Sequence, residues 1–356
     1  MSSRQRDRRA PSRELAHFAP APALAVLLLA CLCAFVAALC IGSVAIDPGT
    51  LLSSMTGMSL GTGADAGQSA LASTLLALRL PRAVTAMAVG GLLGLSGALL
   101  QSLLRNGLAD PYVLGISGGA SCAALAAIAL GLGAGSIAAC SAVGAFCALF
   151  ALFVLARREL FARDAALDQG RDSAILLTGV MIASLCAAGM SLVLALAPDG
   201  RLRTMVFWLL GDLAGAVHLD IALGAMACWA ILAAVAARDA RALNLMLGGD
   251  LQAFTQGVAT TRVRRRLIAI TAIATGTAVS LAGAVGFVGF VAPHLARRAL
   301  GADQRAMLPA ASLLGAFLVT LADTLARSIA APLQLPVGAL TAIIGVPVFL
   351  WQLQRP

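Results

Sequence analysis

The chain has 356 residues, 60% of them hydrophobic and only 12% charged, with a mean hydropathy of +0.94. Soluble domains carry about 25% charged residues, so this composition excludes that class and asks how often the chain crosses a bilayer, at roughly 20 apolar residues per crossing. The net charge is +9 and all 25 basic residues are arginine; without a lysine there is no GxxxxGK[ST] phosphate loop, so any ATPase that drives the protein is another chain.

The arginines lie scattered between apolar runs, which reads as membrane orientation and lipid contact rather than nucleic-acid binding. Residues 1–22 form a basic tail holding Arg4, Arg6, Arg8, Arg9 and Arg13. It resembles the start of a signal peptide, but the apolar run that follows, 23–46, is long enough to span, so it is expected to stay as span 1. Residues 47–78 read as a polar loop ending in a short amphipathic piece. Span 2 is expected at 81–104, span 3 at 111–132 and span 4 at 137–156. A charged loop at 157–172 leads to span 5 at 174–196, and a half-crossing or surface helix at 205–213 leads to span 6 at 219–237. The stretch 238–266 is too polar to cross and is expected to form short cytoplasmic helices. Spans 7 to 10 follow at 267–283, 285–296, 307–326 and 337–353.

The expected fold is therefore an all-α polytopic membrane protein of ten spans, a single permease domain over 23–356 behind the basic tail. With both termini in the cytoplasm, only Arg79, Arg82, Arg201, Arg203 and Arg327 of the 25 arginines fall outside, the bias that the positive-inside rule requires. AVGGLLGLSGALLQ in span 2 echoes ATGTAVSLAGAVGF in span 7, which runs the other way. Spans 2–5 and 7–10 are thus candidates for an inverted-topology repeat. The eight cysteines lie in or beside apolar runs without a CxxC pair and read as small apolar helix residues; no metal set is seen.

Four stretches invite chemistry. RLPR at 79–82 sets two cations around Pro81, expected as the first helical residue of span 2. Cations there oppose the helix dipole, and either snorkel to lipid phosphates or dock an acidic partner. Arg327 has Asp323 four residues back, the spacing of a helical ion pair. RNGLADP at 105–111 breaks the chain between spans 2 and 3. It is either an ordinary inner loop or a constriction lining a path, since broken backbone at membrane depth survives only inside protein or beside water. GISGGA at 115–120 contains the GxSG of intramembrane serine proteases, with Ser117 and a distant His294 as the pair, but close packing of small residues explains it better.

Taken in order, RLPR (79–82), LSGALLQSLLRNGLADPYVLGISGGA (95–120), LLTGV (176–180), FWLLGDLAGA (207–216), GAVGFVGFVAPHLARR (283–298), LADTLAR (321–327) and LPVGALTAIIGVPVFLWQL (335–353) resemble the FecCD-type permeases. These are the membrane subunits of type II ABC importers for iron chelates, haem and cobalamin. The resemblance implies a homodimer in the bacterial inner membrane with a path at the dimer interface. Two separate ATPase subunits bind the ATP, and a periplasmic substrate-binding protein delivers the load. It implies that Arg79, Arg82 and Arg327 dock that binding protein. It places the cytoplasmic gate at Asn106 and Leu108, with Gly107 where the family has proline and the turn expected to be looser for it; a second gate element falls near Asp172 and Ser173. It makes the segment with Leu243, Gly248, Gly249, Leu251, Gly257 and Arg262 the coupling region for the ATPase. A haem or ferric siderophore load is expected ahead of cobalamin. An ion-gradient carrier is the other class, disfavoured because Asp212, Asp220 and Asp323 lie near the ends of the expected helices.

Overall fold

A computed structural model describes residues 20–42, 49, 65–161 and 171–353. Residues 1–19 of the expected tail (1–22), the last four residues of expected span 1, much of the expected polar loop (47–78) and residues 162–170 of the expected charged loop (157–172) lie outside these residues. Helix α1 is Pro20–Cys40, and α2 is a 39-residue helix, Asp65–Leu103. A 3-10 turn, Pro111–Leu114, leads into α3, Ile116–Ala129, and then α4, Ala134–Leu155. Next come α5 (Arg157–Phe161), α6 (Arg171–Leu196), α7 (Asp199–Leu210) and α8 (Leu219–Arg238). The polar stretch forms α9 (Ala240–Leu247) and α10 (Asp250–Thr255). Helices α11 (Thr260–Ala282), α12 (Val288–Leu300), α13 (Gln304–Ser328) and α14 (Val337–Leu353) complete the bundle.

Seven of these helices are long and apolar enough to cross a membrane: α1, α2 from Ser73, α4, α6, α8, α11 and α13. The other three expected spans correspond to α3, α12 and α14, of 14, 13 and 17 residues, each short of a crossing at 1.5 Å per residue. Local backbone explains the first two. Gly115 (φ 78) starts α3 and Phe287 (φ 67) starts α12, both in left-handed backbone that ends the preceding segment. The start of span 2 also differs from expectation. The amphipathic piece joins the span as one helix, with Pro81 inside it rather than at its first position.

Helix α2 is the centre of the molecule. In its apolar window 94% of residues are buried, against 11% for α6. Glycine allows this. A Cβ at Gly90 would lie 2.2 Å from Gly315 O, one at Gly94 2.3 Å from Ala311 O, and one at Gly97 1.7 Å from Gly289 O. Backbone therefore meets backbone where α2 crosses α13 and the start of α12, the close approach that small residues permit between membrane helices. The end of α2 and the break that follows it also touch the break before α12 and the first turn of α12. Tyr112 Oη donates to Val285 O at 2.9 Å, and Gln101 Nε2 to Phe290 O at 3.2 Å.

Candidate functional site

One end of α2 carries an arginine cluster. Arg79, Arg82 and Arg327 are 6%, 7% and 9% exposed, and Asp323 between them is fully buried. Arg82 donates from Nε to Asp323 Oδ1 at 2.9 Å and pairs with it through Nη2 at 2.8 Å; its Nη1 donates to Gln334 Oε1 at 3.0 Å. Arg327 meets Asp323 Oδ2 at 3.1 Å. The remaining donors turn to α1. Arg79 Nη1 donates to Leu39 O (2.9 Å) and Cys40 O (3.1 Å), and Arg327 Nη2 to Ala38 O (3.0 Å). These are last-turn carbonyls that have no partner within their own helix, at the negative end of its dipole. The opposition to a helix N-terminus expected for Arg79 and Arg82 thus does not arise: α2 begins at Asp65, and the cations serve the C-terminus of α1 instead. Among the described residues, Arg82 and Arg327 share the single carboxylate of Asp323, and Arg79 is held beside them by the carbonyls of α1.

A cavity of about 750 Å³ opens beside this cluster and shares Gln334 with it, with Thr85, Arg203, Trp208, Asp212 and His218 also in its wall. The sequence gives no sign of it, because its lining comes from segments as far apart as residues 85 and 334.

The other end of α2 runs into the RNGLADP break. Arg105 has φ 49, left-handed and unusual for a residue with a side chain. Asn106 accepts on Oδ1 from Leu108 N at 2.9 Å, and its carbonyl accepts from Ala109 N at 3.1 Å, so Asn106 closes the turn itself. A Cβ on Gly107 would meet nothing within 4 Å. The Asn106 bonds hold the turn without the ring that a proline would supply there. Leu108 is 64% exposed at its tip. Asp110 caps the 3-10 turn, accepting from Tyr112 N at 2.8 Å. Burial pushes its carboxyl above the usual range, against the Tyr112 amide.

Helices α9 and α10 lie at this same end and differ from each other. Leu243 and Met246 of α9 are buried in the core. Asn244 donates to Asp303 Oδ1 at 2.8 Å and accepts from Gln304 N at 2.9 Å, while Gln304 Oε1 accepts from Ser102 at 2.9 Å, just short of the end of α2. Helix α10 instead shows Leu251 and Phe254, three residues apart and more than half exposed. Gly248 ends α9, Gly249 (φ 121) turns into α10 and Gly257 (φ 83) leaves it. Asp250 pairs with Arg264 (2.5 Å), which is buried, and with Arg105 (3.4 Å), which is half-exposed. Asp239 pairs with Arg266 at 2.8 Å; burial raises its carboxyl and Arg266 lowers it. Arg262 is exposed.

The remaining residues singled out from the sequence stay apart. Ser173 is exposed at the start of α6, with no hydrogen bond to the Asn106 turn, and the side chain of Asp172 lies outside the described residues. Ser117 is buried at the start of α3, whereas His294 on α12 packs against Phe349 on α14, ring centroids 5.4 Å apart. No hydrogen bond joins these two, and the geometry offers no serine–histidine pair. The i, i+4 spacing shows the Asp323–Arg327 pair in the sequence; no sequence signal joins Arg82 to Asp323 or Arg105 to Asp250.

Comparison with known proteins matches residues 27–355 to the model of the FecCD transport family. The hemin transport system permease protein HmuU of Yersinia pestis is 38% identical over 79% of this chain and 83% of its own. The vitamin B12 import system permease protein BtuC of Klebsiella pneumoniae is 36% identical over 78% and 81%. A solved metal-chelate type ABC transporter in an inward-facing conformation superposes with a TM-score of 0.78 at 25% identity, covering 95% of this chain and 100% of that one.

Proposed function

The chain belongs to the FecCD transport family, and we propose that it is the permease subunit of an ATP-driven importer that moves a metal chelate from periplasm to cytoplasm. The observation that carries this reading is the match, over about four-fifths of both chains, to permeases named for hemin and for vitamin B12. Haem or a ferric siderophore is favoured as the load, with cobalamin as a third candidate. The permease works as a homodimer in the inner membrane, with both termini in the cytoplasm, two ATPase subunits inside and a binding protein outside. Ten crossings as an inverted repeat fit the paired breaks before α3 and α12, each opening a short helix from left-handed backbone; α3, α12 and α14 then cross together with the non-helical residues that precede them.

Within this scheme Arg79, Arg82 and Arg327 attract an acidic face of the binding protein. The gathering of three arginines at one end of α2 supports this, although their donors turn to Asp323, Gln334 and the end of α1, so they act as a fixed positive field more than as exposed fingers. The cavity beside them receives the load. Leu108 and Asn106 form the inner gate, joined by Asp172 and Ser173 from each α6. Exposed Leu251 and Phe254 on α10, with Gly248, Gly249, Gly257 and Arg262 around them, dock the ATPase, while buried Leu243 anchors the segment.

The test is reconstitution of the permease with its ATPase subunits and binding protein in vesicles, with uptake of radiolabelled haemin, ferric siderophore and cobalamin measured in parallel. ATP-dependent accumulation of one load is expected. Accumulation without the ATPase, driven by a proton or sodium gradient, would instead make the chain a secondary carrier.

A further inference from the structure

The two polar ties between the surface helices and α2 end on opposite sides of the place where α2 stops. Half-buried Asn244 of α9 reaches Ser102, inside the helix, through Gln304, and both Ser102 and Gln304 are buried. Asp250 of α10 reaches Arg105, beyond the last helical residue, Leu103. Helix α9 is therefore fixed to the rigid body, with Leu243 and Met246 in the core. Helix α10 buries only Ala253 and leans on the bundle through Asp250. Between the two sits a glycine pair, of which Gly249 has φ 121, so the chain can turn between α9 and α10 without side-chain hindrance.

Arg105 lies immediately before Asn106, at a left-handed φ of 49, and a Cβ on Gly249 would come within 3.8 Å of its Nη1. The guanidinium thus rests on the Gly249–Asp250 corner while its own backbone sets the direction in which the Asn106–Leu108 turn leaves α2. A push on the exposed face of α10 displaces Asp250, and the displacement reaches the turn in a single ionic contact.

We propose that Arg105 is a positioning residue that ties the Asn106–Leu108 turn to α10 through Asp250, so that movement of α10 re-aims Leu108. The proposal rests on the importer reading, which makes α10 the element that the ATPase moves. The pair is partly exposed, so its expected effect is moderate, about two- to fivefold in an equilibrium or rate.

The test uses the permease purified with its ATPase subunits and carrying Leu108→Cys. Labelling at residue 108 by a membrane-impermeant maleimide is followed by peptide mass spectrometry, with and without ATP and vanadate. The parent is expected to change its labelling rate on nucleotide trapping. Arg105→Gln should shrink that change about two- to fivefold, and Arg105→Lys should restore most of it. Arg105→Gly, which relieves the backbone but removes the charge, should behave like the glutamine variant. Arg105 is used because Asp250→Asn would also remove the carboxylate paired with buried Arg264 and endanger folding; co-purification of the ATPase confirms that each variant assembles. An unchanged nucleotide response in Arg105→Gln overturns the tie, and a glycine variant that responds like the parent assigns the effect to backbone strain and overturns it too. A parent with no nucleotide response overturns the importer reading itself, and the tie with it.

Discussion

Asp323→Asn is the sharpest perturbation of the arginine cluster. The side chain keeps its shape and loses its charge, leaving Arg82 and Arg327, both more than 90% buried, without the carboxylate they share at 2.8 and 3.1 Å. Removing one partner of a buried ion pair typically costs about 3–5 kcal/mol. Here each arginine retains another acceptor, Gln334 Oε1 for Arg82 and Ala38 O for Arg327, which places the expected loss near 3 kcal/mol, about a 150-fold change in the folding constant. Arg327→Met should cost less, about 1–2 kcal/mol, because it leaves a neutral Arg82–Asp323 pair and forfeits mainly the bond to α1. A thiol-reactive fluorophore in a thermal ramp reads both variants, since buried Cys31 of α1 becomes reactive when that helix detaches. The expected order of melting temperature is wild type, then Arg327→Met, then Asp323→Asn. An asparagine variant that melts with the wild type, or above the methionine variant, would refute the view that Asp323 holds the cluster together.

Other outcomes follow from the same structure. Gly97→Ala would set a methyl 1.7 Å from Gly289 O, so α2 and α12 must separate; a loss of about 3 kcal/mol is expected in the same thermal assay. Phe254→Ser, on the exposed face of α10, should leave the melting temperature unchanged but weaken capture of the ATPase subunit by about tenfold in a pull-down titration, the scale of an interface hot spot. Asp303 is held below the usual carboxylate range by the Asn244 side chain and the Arg305 amide. A depressed folded-state value means that its contribution is present above the unfolded value of about 3.9 and is lost as pH falls through the folded one. Wild-type stability should therefore decline more steeply below about pH 4 than that of Asp303→Asn, measured by melting at stepped pH.

Much of this architecture was legible as runs of apolar residues, because length alone separates a crossing from a loop. The breaks were legible too: Asn106-Gly107 and Asp110-Pro111 are turn chemistry, and the Asn106 and Asp110 side chains each bond the backbone two residues on. The short α12 was harder to read, since the residue that starts it in left-handed backbone is Phe287 and not one of the neighbouring glycines. Pro81 misled, because a proline marks a helix start only when nothing helical precedes it, and here the amphipathic piece supplies that turn. The bonds from Arg79 to the backbone carbonyls that end α1 were beyond reach of any pattern. Arg82 and Asp323 stand 241 positions apart and belong together only once α2 has packed on α13.

The glycine seam has a kinematic consequence. Where Gly90 and Gly94 press backbone on backbone against α13, and Gly97 against Gly289 of α12, there are no side chains to deform, so α2 cannot roll or slide against either helix without moving it. The arginine cluster joins the same two helices at one end, through Arg82 and Asp323, and the Asn106 turn hangs from the other, about 30 Å away at 1.5 Å per residue. A pushrod of this kind stores little displacement along its length. The same rigid helix therefore links the cluster to Leu103, and the residues from Leu104 to Asp110 are the first beyond it that are free of its helical geometry.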